Sequence, residues 1–576
     1  MMLWKNIAGF LLLLSIFLAN HTPLTAAEIG QDCKEVLDNK AIAIEAQALS
    51  GKTLLYQAEA YQHSGHYKKS IQALCFALQK TSEEKVLYAT LLGSLGHAYF
   101  MLGKIEKAVV LLEHSINQAS QLKQPAIAAV ALNNLGNVCA TYRKEEITKR
   151  FPHFRRLCID FQKNVWSQTS EVSKTSEVFR ETYYRQSAEL ATQAKNNLLA
   201  VKASLNFVQM AIDNLQKNDS HKDFHIIKQA LFNLLEQTQD LELSPKKIQA
   251  LLRLGRLIIL SNQHFSTAEY NTLRGKAYEV LKRAWHLAQQ TNDRAGISQA
   301  LGYKGQLYQH EKRYQEALNL TRQAVFFAQE RPELLYYWQW QMASIFQEQG
   351  EHAKSALAYK QAIDTLWSIR YDLSKIYRTF RSSFREQVSA LFYEFTELLL
   401  TYASRFSLEE KEAICRLQEQ PADCLKKLQD TLEKLKSAEL LDYFQNECVI
   451  KNQISLTEIG LEKETAVLYP IMLKDRLELL LGKAGGMTLI SVTETNRQKL
   501  EDEIYHLRYE LYHGEHLYHK FKKHAQNLYD WLIHPLKESN HLQDIETLVL
   551  VPDGQLRTMP IAALHDGQDY LIEHYA

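Results

Sequence analysis

Residues 91–116, LLGSLGHAYFMLGKIEKAVVLLEHSI, decide the fold of this chain. The stretch reads as an apolar helix with the small Gly96 and the aromatic Tyr99, a glycine turn, and a second amphipathic helix that carries Ala108. Each helix of such a pair has an apolar face that the pair alone does not bury. The pattern therefore predicts a stack of similar helix pairs.

The same pattern recurs along the chain up to about residue 400. It is found in residues 54–78, in residues 300–325 with Gly305, Tyr308 and Ala317 in register, and in residues 339–363. Further first helices are predicted from Leu132 (LNNLGNVCATY) and from Leu251 (LLRLGRLIIL). The stretch from about residue 147 to 247 is helical but out of register, which indicates degenerate repeats with an insertion.

These blocks resemble the tetratricopeptide repeat, and the resemblance implies an α-solenoid that binds a protein or peptide partner in a groove. Small and aromatic residues occupy the family's packing positions, and polar or aromatic residues are candidates for the groove. The packing set is Gly96, Tyr99, Ala108, Gly305, Tyr308 and Ala317, and the groove set is Tyr303, Gln306 and Tyr337. The alternative is that these aromatics pack between repeats.

Length and charge narrow the function classes. A chain of 576 residues exceeds the usual size of one core, so more than one unit is expected. Its formal net charge of +1 argues against a polybasic nucleic-acid surface. We therefore predict no nucleic-acid partner, while the oligomeric state stays open.

The N-terminal residues predict export. Residues 1–27 contain Lys5, an apolar run from Ile7 to Ala19, Pro23 and small residues up to Ala27, which is the pattern of a signal peptide cleaved after Ala27. The alternative is an uncleaved anchor, although the run falls short of a bilayer span. With the peptide removed, no integral membrane segment is expected in the exported, periplasmic or extracellular chain.

The cysteines and histidines indicate no metal or cofactor site. The 7 cysteines show no CxxC spacing, and Cys415 with Cys424 is the closest pair. Export permits disulfides, but free buried thiols are the expectation. His513, His516 and His519, with Glu515 nearby, recur every third residue, yet this spacing drifts around a helix and Gly514 weakens it. A solvated helix face is favoured over a metal site.

The pattern changes after Leu399. A helical connector at residues 401–455 precedes strand-like runs with tight turns, which predict three antiparallel strands. A helical stretch from about Arg497 to Leu536 follows. The end of the chain then reads as a buried strand at Leu548 to Val551, a Pro-Asp-Gly turn, a short helix and the start of another strand in DYLIEHYA. Together these elements predict an α/β layer.

This region resembles the CHAT domain, a caspase- and separase-like module often found behind tetratricopeptide repeats. The resemblance rests on KSAELLDYFQNEC, TAVLYPIMLKDRLELLL, LYDWLIHPL and the closing segment from Leu548, and it spans roughly residues 400 to 576. Its most diagnostic positions are Pro552, Asp553, Gly554 and Pro560.

The resemblance implies a cysteine-peptidase class but assigns no catalytic residue here. In proteolytic members the His and Cys of the catalytic dyad lie on segments later than this chain reaches. Cys448, His565 and His574 match neither catalytic position. The chain is therefore expected to bind without cutting, and whether it is naturally truncated is left open.

The sequence thus predicts a mainly α protein, with a solenoid followed by the N-terminal part of an α/β caspase-like domain. The expected parts are a signal peptide (1–27), repeats with a degenerate middle (28–400), a connector (401–455) and a partial CHAT domain (456–576). The function expected is capture of a protein partner by a member of the CHAT peptidase-like family. The alternative is a non-enzymatic repeat scaffold capped by a pseudoprotease half-domain.

Overall fold

The computed structural model describes residue 33 and residues 49–81, 83–141, 177–215, 222–261, 267–380, 384–405, 424–444, 462–513 and 518–576. The chain divides into two compact units. One comprises Met1–Gln349 and Gln361–Phe384, and the other Gly350–Lys360 and Arg385–Ala576. The predicted signal peptide and Cys448 lie outside the described residues.

The first unit is built from helices of 13 to 24 residues, several of which are joined by short turns. Their bounds are α1 Gly51–His63, α2 Tyr67–Lys80, α3 Lys85–Met101, α4 Ile105–Gln121, α5 Pro125–Thr141, α6 Glu177–Gln193, α7 Asn197–Leu215, α8 Lys222–Gln237, α9 Pro245–Leu260, α10 Thr267–Gln290, α11 Arg294–His310, α12 Tyr314–Phe327 and α13 Pro332–Glu348.

These helices pack as stacked antiparallel pairs. Each odd-numbered helix from α1 to α11 packs against the even-numbered helix that follows it. The odd-numbered helices also contact one another in succession, from α1 and α3 through to α11 and α13. The first helices of the pairs therefore form one continuous row, as expected for stacked repeats.

Glycine marks the crossing point within several pairs. A Cβ atom on Gly96 of α3 would lie 2.9 Å from Leu112 Cγ and 3.2 Å from the Ala108 carbonyl oxygen of α4. A Cβ on Gly305 of α11 would likewise lie 3.2 Å from the Ala317 oxygen of α12. Both alanines follow their glycine by twelve residues. The helices approach this closely because the side chain is absent.

Two further pairs keep this register but contain added residues. Gly136 of α5 faces Tyr184 of α6, 48 residues later, whereas Leu112 follows Gly96 by 16, so 32 residues are added. Gly255 of α9 faces Leu281 of α10, 26 residues later, so ten are added. The predicted insertion thus lies inside a helix pair and leaves its packing register unchanged.

In each of three pairs, a buried serine hydroxyl on one helix donates to a backbone carbonyl of the other helix. Ser115 donates to the Ala89 carbonyl, Ser187 to the Ala129 carbonyl and Ser298 to the Ala324 carbonyl, each at 2.8 Å. The serine lies on the second helix in the first two pairs and on the first helix in the third. Three pairs therefore share one packing geometry, with donor and acceptor exchanged in the last.

The expectation of free thiols is wrong for three cysteines. Cys33 and Cys75 form a disulfide, and Cys139 is also disulfide-bonded. Cys33 and Cys75 are 42 residues apart in sequence and are joined because α2 carries Cys75 into the core that Cys33 also reaches. Of the closest pair in sequence, Cys415 and Cys424, the first lies outside the described residues.

The second unit combines helices with a small sheet. Its elements, with one helix shared between the units, are α14 His352–Phe380, α15 Phe384–Arg405, α16 Cys424–Phe444, β1 Thr465–Met472, β2 Leu477–Lys483, β3 Gly486–Val492, α17 Arg497–His513, α18 Tyr518–Leu532, α19 His534–Glu538 and β4 Thr547–Leu550. The predicted mainly α fold with a C-terminal α/β part is confirmed.

The four strands lie in the order β3-β2-β1-β4. Strands β1, β2 and β3 pair antiparallel as predicted, and β4 pairs parallel to β1. Leu468 and Leu479 pack with Leu500 and Leu528 of α17 and α18 in one core. On the other face, Tyr469 donates to Glu433 of α16 at 2.9 Å. Helices therefore cover the sheet on both faces.

The end of the chain departs from the prediction in two respects. Strand β4 lies at the sheet edge, so Leu548 is buried but Val549 is 41% exposed rather than buried. DYLIEHYA does not form a strand, because Leu571–Glu573 adopts a 3₁₀ turn. Only Ala576 bonds to β4, with its oxygen accepting from Leu548 N at 3.1 Å.

Candidate functional site

The row of first helices presents a polar side chain after each crossing glycine. These side chains are His97 on α3, Asn137 on α5, Arg256 on α9 and Gln306 on α11. Because successive helical residues are turned by about 100°, a residue that follows a glycine directed at the second helix projects to a different face. We call this face, with its polar residues on adjacent first helices, the inner row.

Hydrogen bonds of the inner row run both within a pair and between neighbouring pairs. His97 Nδ1 lies 3.0 Å from Gln62 Oε1 of α1. Asn137 Oδ1 accepts from Tyr184 at 2.9 Å and from Asn206 of α7 at 3.3 Å. The side chains that distinguish this face therefore also hold the repeats in register.

The three predicted groove residues lie together but in different environments. Tyr303 is only 8% exposed, and its ring packs edge-on against Trp338 with centroids 5.4 Å apart. Burial raises the pKa of Tyr303 to about 12, and the nearby Arg256 opposes this shift. Gln306 Nε2 donates to the Tyr337 hydroxyl at 3.0 Å, and both residues are half-buried. Tyr303 is thus a packing residue, and peptide binding by Gln306 and Tyr337 stays a prediction.

The packing set occupies the helix crossings. Tyr99, Ala108 and Ala317 are buried. Tyr308 is half-buried, with its ring edge-on to Tyr278 at 6.4 Å and the Arg313 guanidinium 4.4 Å from its centroid.

Three cations on α7 and α9 are functional candidates that the sequence prediction missed, and we call Lys202, Arg253 and Arg256 the cationic row. Burial lowers the pKa of Lys202, and the like charge of Arg253 lowers it further. Burial also lowers the pKa of Arg253, with Arg256 acting in the same direction. The sequence signal was available for Arg256, which directly follows the crossing Gly255.

The charge of Lys202 also acts on His97 of α3. Burial, followed by the charges of Lys202 and His63, lowers the pKa of His97 to about 4. With this pKa, His97 is neutral at physiological pH.

In the second unit, the Pro-Asp-Gly turn follows β4 and is held by side chains from two helices. Asp553 Oδ1 lies 2.8 Å from Lys436 Nζ of α16, and Oδ2 accepts a hydrogen bond from the Tyr393 hydroxyl of α15. Lys436 also donates to the Pro552 carbonyl at 3.0 Å. Gly554 has φ +53, a backbone conformation that favours glycine, and its N–H donates to Asp553 Oδ1 at 2.8 Å.

These contacts hold the turn against α15 and α16. Asp553 is 8% exposed, and both carboxylate oxygens already accept hydrogen bonds. Asp553 thus attaches the turn after β4 to α15 and α16. Pro560 precedes the 3₁₀ turn Ile561–Ala563 and so ends the loop that Asp553 starts.

The two histidines of the closing segment are engaged in local contacts. His565 is buried, its Nδ1 accepts from Gly567 N at 2.7 Å, and its ring packs edge-on to Tyr570. His574 Nε2 lies 3.3 Å from Asp566 Oδ2. Backbone N–H groups of Asp569 and Gln568 hold the pKa of Asp566 at about 2.

The remaining predicted features concern metals and membranes. Of the His-rich stretch, His516 and Glu515 lie outside the described residues. Within the described ranges, no cluster of His, Cys, Asp and Glu side chains is arranged to hold a metal ion. No helix in the same ranges has both the length and the apolar character of a membrane span.

Comparison with known proteins identifies the C-terminal segment. Residues 522–576 match the family model of the CHAT domain. The matched residues include the Pro-Asp-Gly turn. No curated protein matches the chain. Among solved structures, a circular tandem repeat protein with novel repeat topology is 14% identical, with 75% of this chain and 94% of that chain covered at a TM-score of 0.21. Yeast Tom70 is 12% identical, with 70% and 99% covered at 0.14.

These TM-scores are too low to support an argument, so the repeat architecture rests on the helix contacts described above. The match to the family model is independent of those contacts. The chain is therefore a helical-repeat protein that carries CHAT-domain sequence at residues 522–576.

Proposed function

We propose that the repeats bind a protein partner through the inner row. The observation that carries this proposal is the unbroken succession of first helices, four of which carry a polar side chain directly after the crossing glycine. Gln306 and Tyr337 on α11 and α13 are half-buried, so the outer part of each side chain remains open to solvent. A face of this kind offers hydrogen bonds to an extended segment without disturbing the apolar core beneath.

We also propose that the CHAT segment belongs to a peptidase-like module next to which the repeats hold their partner. The support is the match at residues 522–576 and the resemblance of the class to caspases and separases. The resemblance gives no catalytic role to any Cys or His among these 576 residues. The non-enzymatic scaffold remains the second candidate.

Export is a further part of the proposal. Disulfides persist in oxidising compartments, and the bond between Cys33 and Cys75 together with bonded Cys139 supports such a location. N-terminal sequencing of the secreted chain tests it. A mature terminus at Glu28 or close to it is expected, and recovery of Met1 contradicts cleavage.

Panning a random-peptide display library against the full chain tests partner binding. We expect enriched peptides whose affinity falls about fivefold in Gln306→Ala, since one net hydrogen bond is lost. The matched control is Gln323→Ala on the exposed face of α12, which leaves affinity unchanged. Absence of enrichment, or equal binding by both variants, contradicts the proposal.

A further inference from the structure

Aromatic rings at the α11–α13 end of the inner row form one connected surface. Tyr337 and Trp340 are both on α13, and their rings pack edge-on with centroids 6.2 Å apart. The Tyr337 ring also packs against the ring of Trp338, at 4.9 Å, and Trp338 is completely buried. Tyr337 and Trp340 themselves are half-buried. The buried indole therefore holds the Tyr337 ring in place, while the two outer rings remain partly accessible to a ligand.

Hydrogen bonds from α11 reach the same surface. Gln306 Nε2 donates to the Tyr337 hydroxyl at 3.0 Å. Gln309 Nε2 donates to Ser344 Oγ at 3.0 Å and to Glu348 Oε1 at 2.8 Å. The Tyr337 oxygen is thus an acceptor, and among the described residues its own hydroxyl hydrogen has no acceptor. This hydrogen is available to a carbonyl oxygen of a ligand.

A carboxylate without a counter-ion lies at the C-terminal end of α13. Glu348 is exposed and accepts from neutral donors, Gln309 Nε2 and the Tyr314 hydroxyl. It forms no ion pair with any residue that the structure describes. Its charge acts on His310, but burial lowers the pKa of that imidazole, which is therefore neutral at physiological pH. The negative charge of Glu348 is left for a cation of the ligand.

We propose that the segment bound at this end of the inner row is a proline-rich stretch in polyproline conformation, with a basic residue that pairs with Glu348. This inference rests on the proposed function and names the chemistry of the partner. Proline rings pack on aromatic side chains, and a polyproline segment is extended before it binds, so it loses little conformational entropy. Because proline has no N–H, such a segment presents carbonyl oxygens, which suit the Tyr337 hydroxyl.

Helix geometry gives the distance between the two anchors. Trp340 precedes Glu348 by eight residues on α13. At about 1.5 Å per helical residue this is about 12 Å, and a polyproline segment that rises about 3.1 Å per residue covers it in about four residues. The basic residue is therefore expected about four positions from the proline that packs on Trp340.

Fluorescence anisotropy with the full chain and a fluorescein-labelled decaproline that ends in Arg-Arg tests the proposal. We expect binding that falls about fivefold in Tyr337→Phe, since one net hydrogen bond is lost. It should fall at least about tenfold in Trp340→Leu, which removes the aromatic ring. Glu348→Gln should weaken binding about threefold and reduce its dependence on salt.

Matched controls separate these contacts from general effects. Phe326→Leu on α12 removes an exposed ring, and Glu330→Gln, just after α12, removes an exposed carboxylate. Both should leave binding unchanged. Two further peptides test the ligand: a decaproline that ends in Glu-Glu and a Gly-Ser decapeptide that ends in Arg-Arg should each bind at least about tenfold more weakly.

Three outcomes overturn the proposal. They are no binding of the proline peptide, equal losses in the control variants, and equal binding of the Gly-Ser peptide, which would leave charge alone as the source of affinity. The display selection is independent of proline content. Enrichment of peptides that lack proline but depend on Gln306 keeps the proposed function and overturns the proline-rich partner, whereas absence of any enrichment overturns both.

Discussion

Gly136 of α5 lies against the ring of Tyr184 of α6, so that a Cβ atom on the glycine would come within 2.8 Å of Tyr184 Cε1. The ring has little freedom to move, because Tyr184 is buried and its hydroxyl donates to Asn137. Helix crossing in this pair therefore depends on the missing side chain.

We expect Gly136→Ala to destabilise the repeats by about 1–2 kcal/mol, since overpacking outweighs the gain in helix propensity. The control is Gly275→Ala in α10, where a Cβ meets nothing within 4 Å. It should stabilise by about 0.5–1 kcal/mol. Urea unfolding of both variants measures the two effects. A stabilised Gly136→Ala variant would show that the two helices do not cross here.

Lys436 and Asp553 form the second testable contact. The side chains are largely buried, so removing one partner leaves an uncompensated charge. Lys436→Met should destabilise the region around β4 by about 3 kcal/mol, whereas Lys426→Met on the exposed face of α16 should change it by less than about 0.5 kcal/mol.

Amide hydrogen exchange in β1 and β4 measures this effect, because it reports the local stability of the strands to which the turn is attached. The double variant Lys436→Met/Asp553→Asn should lose less than the sum of the single variants, as expected for groups that interact. Additive losses would mean that the two side chains act independently.

Asp566 predicts acid sensitivity of the closing segment. Its pKa is lowered from 3.8 to about 2 by backbone hydrogen bonds, with Lys537 and His574 adding to the effect. A lowered carboxyl pKa stabilises the folded state above about pH 4, and this stabilisation is lost as pH falls through about 2. The amount at neutral pH is at most about 2 kcal/mol.

Urea unfolding of wild type and Asp566→Asn between acid and neutral pH tests this expectation. The difference between them should be largest at neutral pH and vanish in strong acid. The more exposed Asp569→Asn serves as the control. A constant difference across the pH range would rule out the charge as its source.

The lowered pKa of His97 predicts that the stability of the repeats depends on pH between about 4 and 6.5. Because burial and the charge of Lys202 lower its pKa from 6.5 to about 4, the unfolded chain binds a proton more readily than the folded chain. Stability should therefore fall as pH drops from about 6.5 to 4, by up to about 3 kcal/mol. His97→Gln removes this slope, and the exposed His66→Gln retains it. Identical slopes in both variants would assign the effect to other groups.

The comparison of Gly96 with Gly136 separates what local sequence predicts from what it does not. Gly96 and Ala108 lie within one short helical hairpin, so the small residues that face each other there can be found from the local pattern. For Gly136, 32 added residues separate the glycine from its partner, and spacing no longer indicates that Tyr184 occupies the equivalent place. That pairing depends on burial of an apolar face, which is a property of the assembled repeats.

The sequence by itself determined the helical repeats, the three antiparallel strands and the Pro-Asp-Gly turn, because each follows from periodicity and turn residues over a short stretch. Only the tertiary structure decided that Cys33 bonds Cys75, that Val549 lies at a sheet edge, and that Asn206 of α7 donates to Asn137 of α5. Such contacts join residues far apart in the chain, and their free energy depends on how the helices and strands pack.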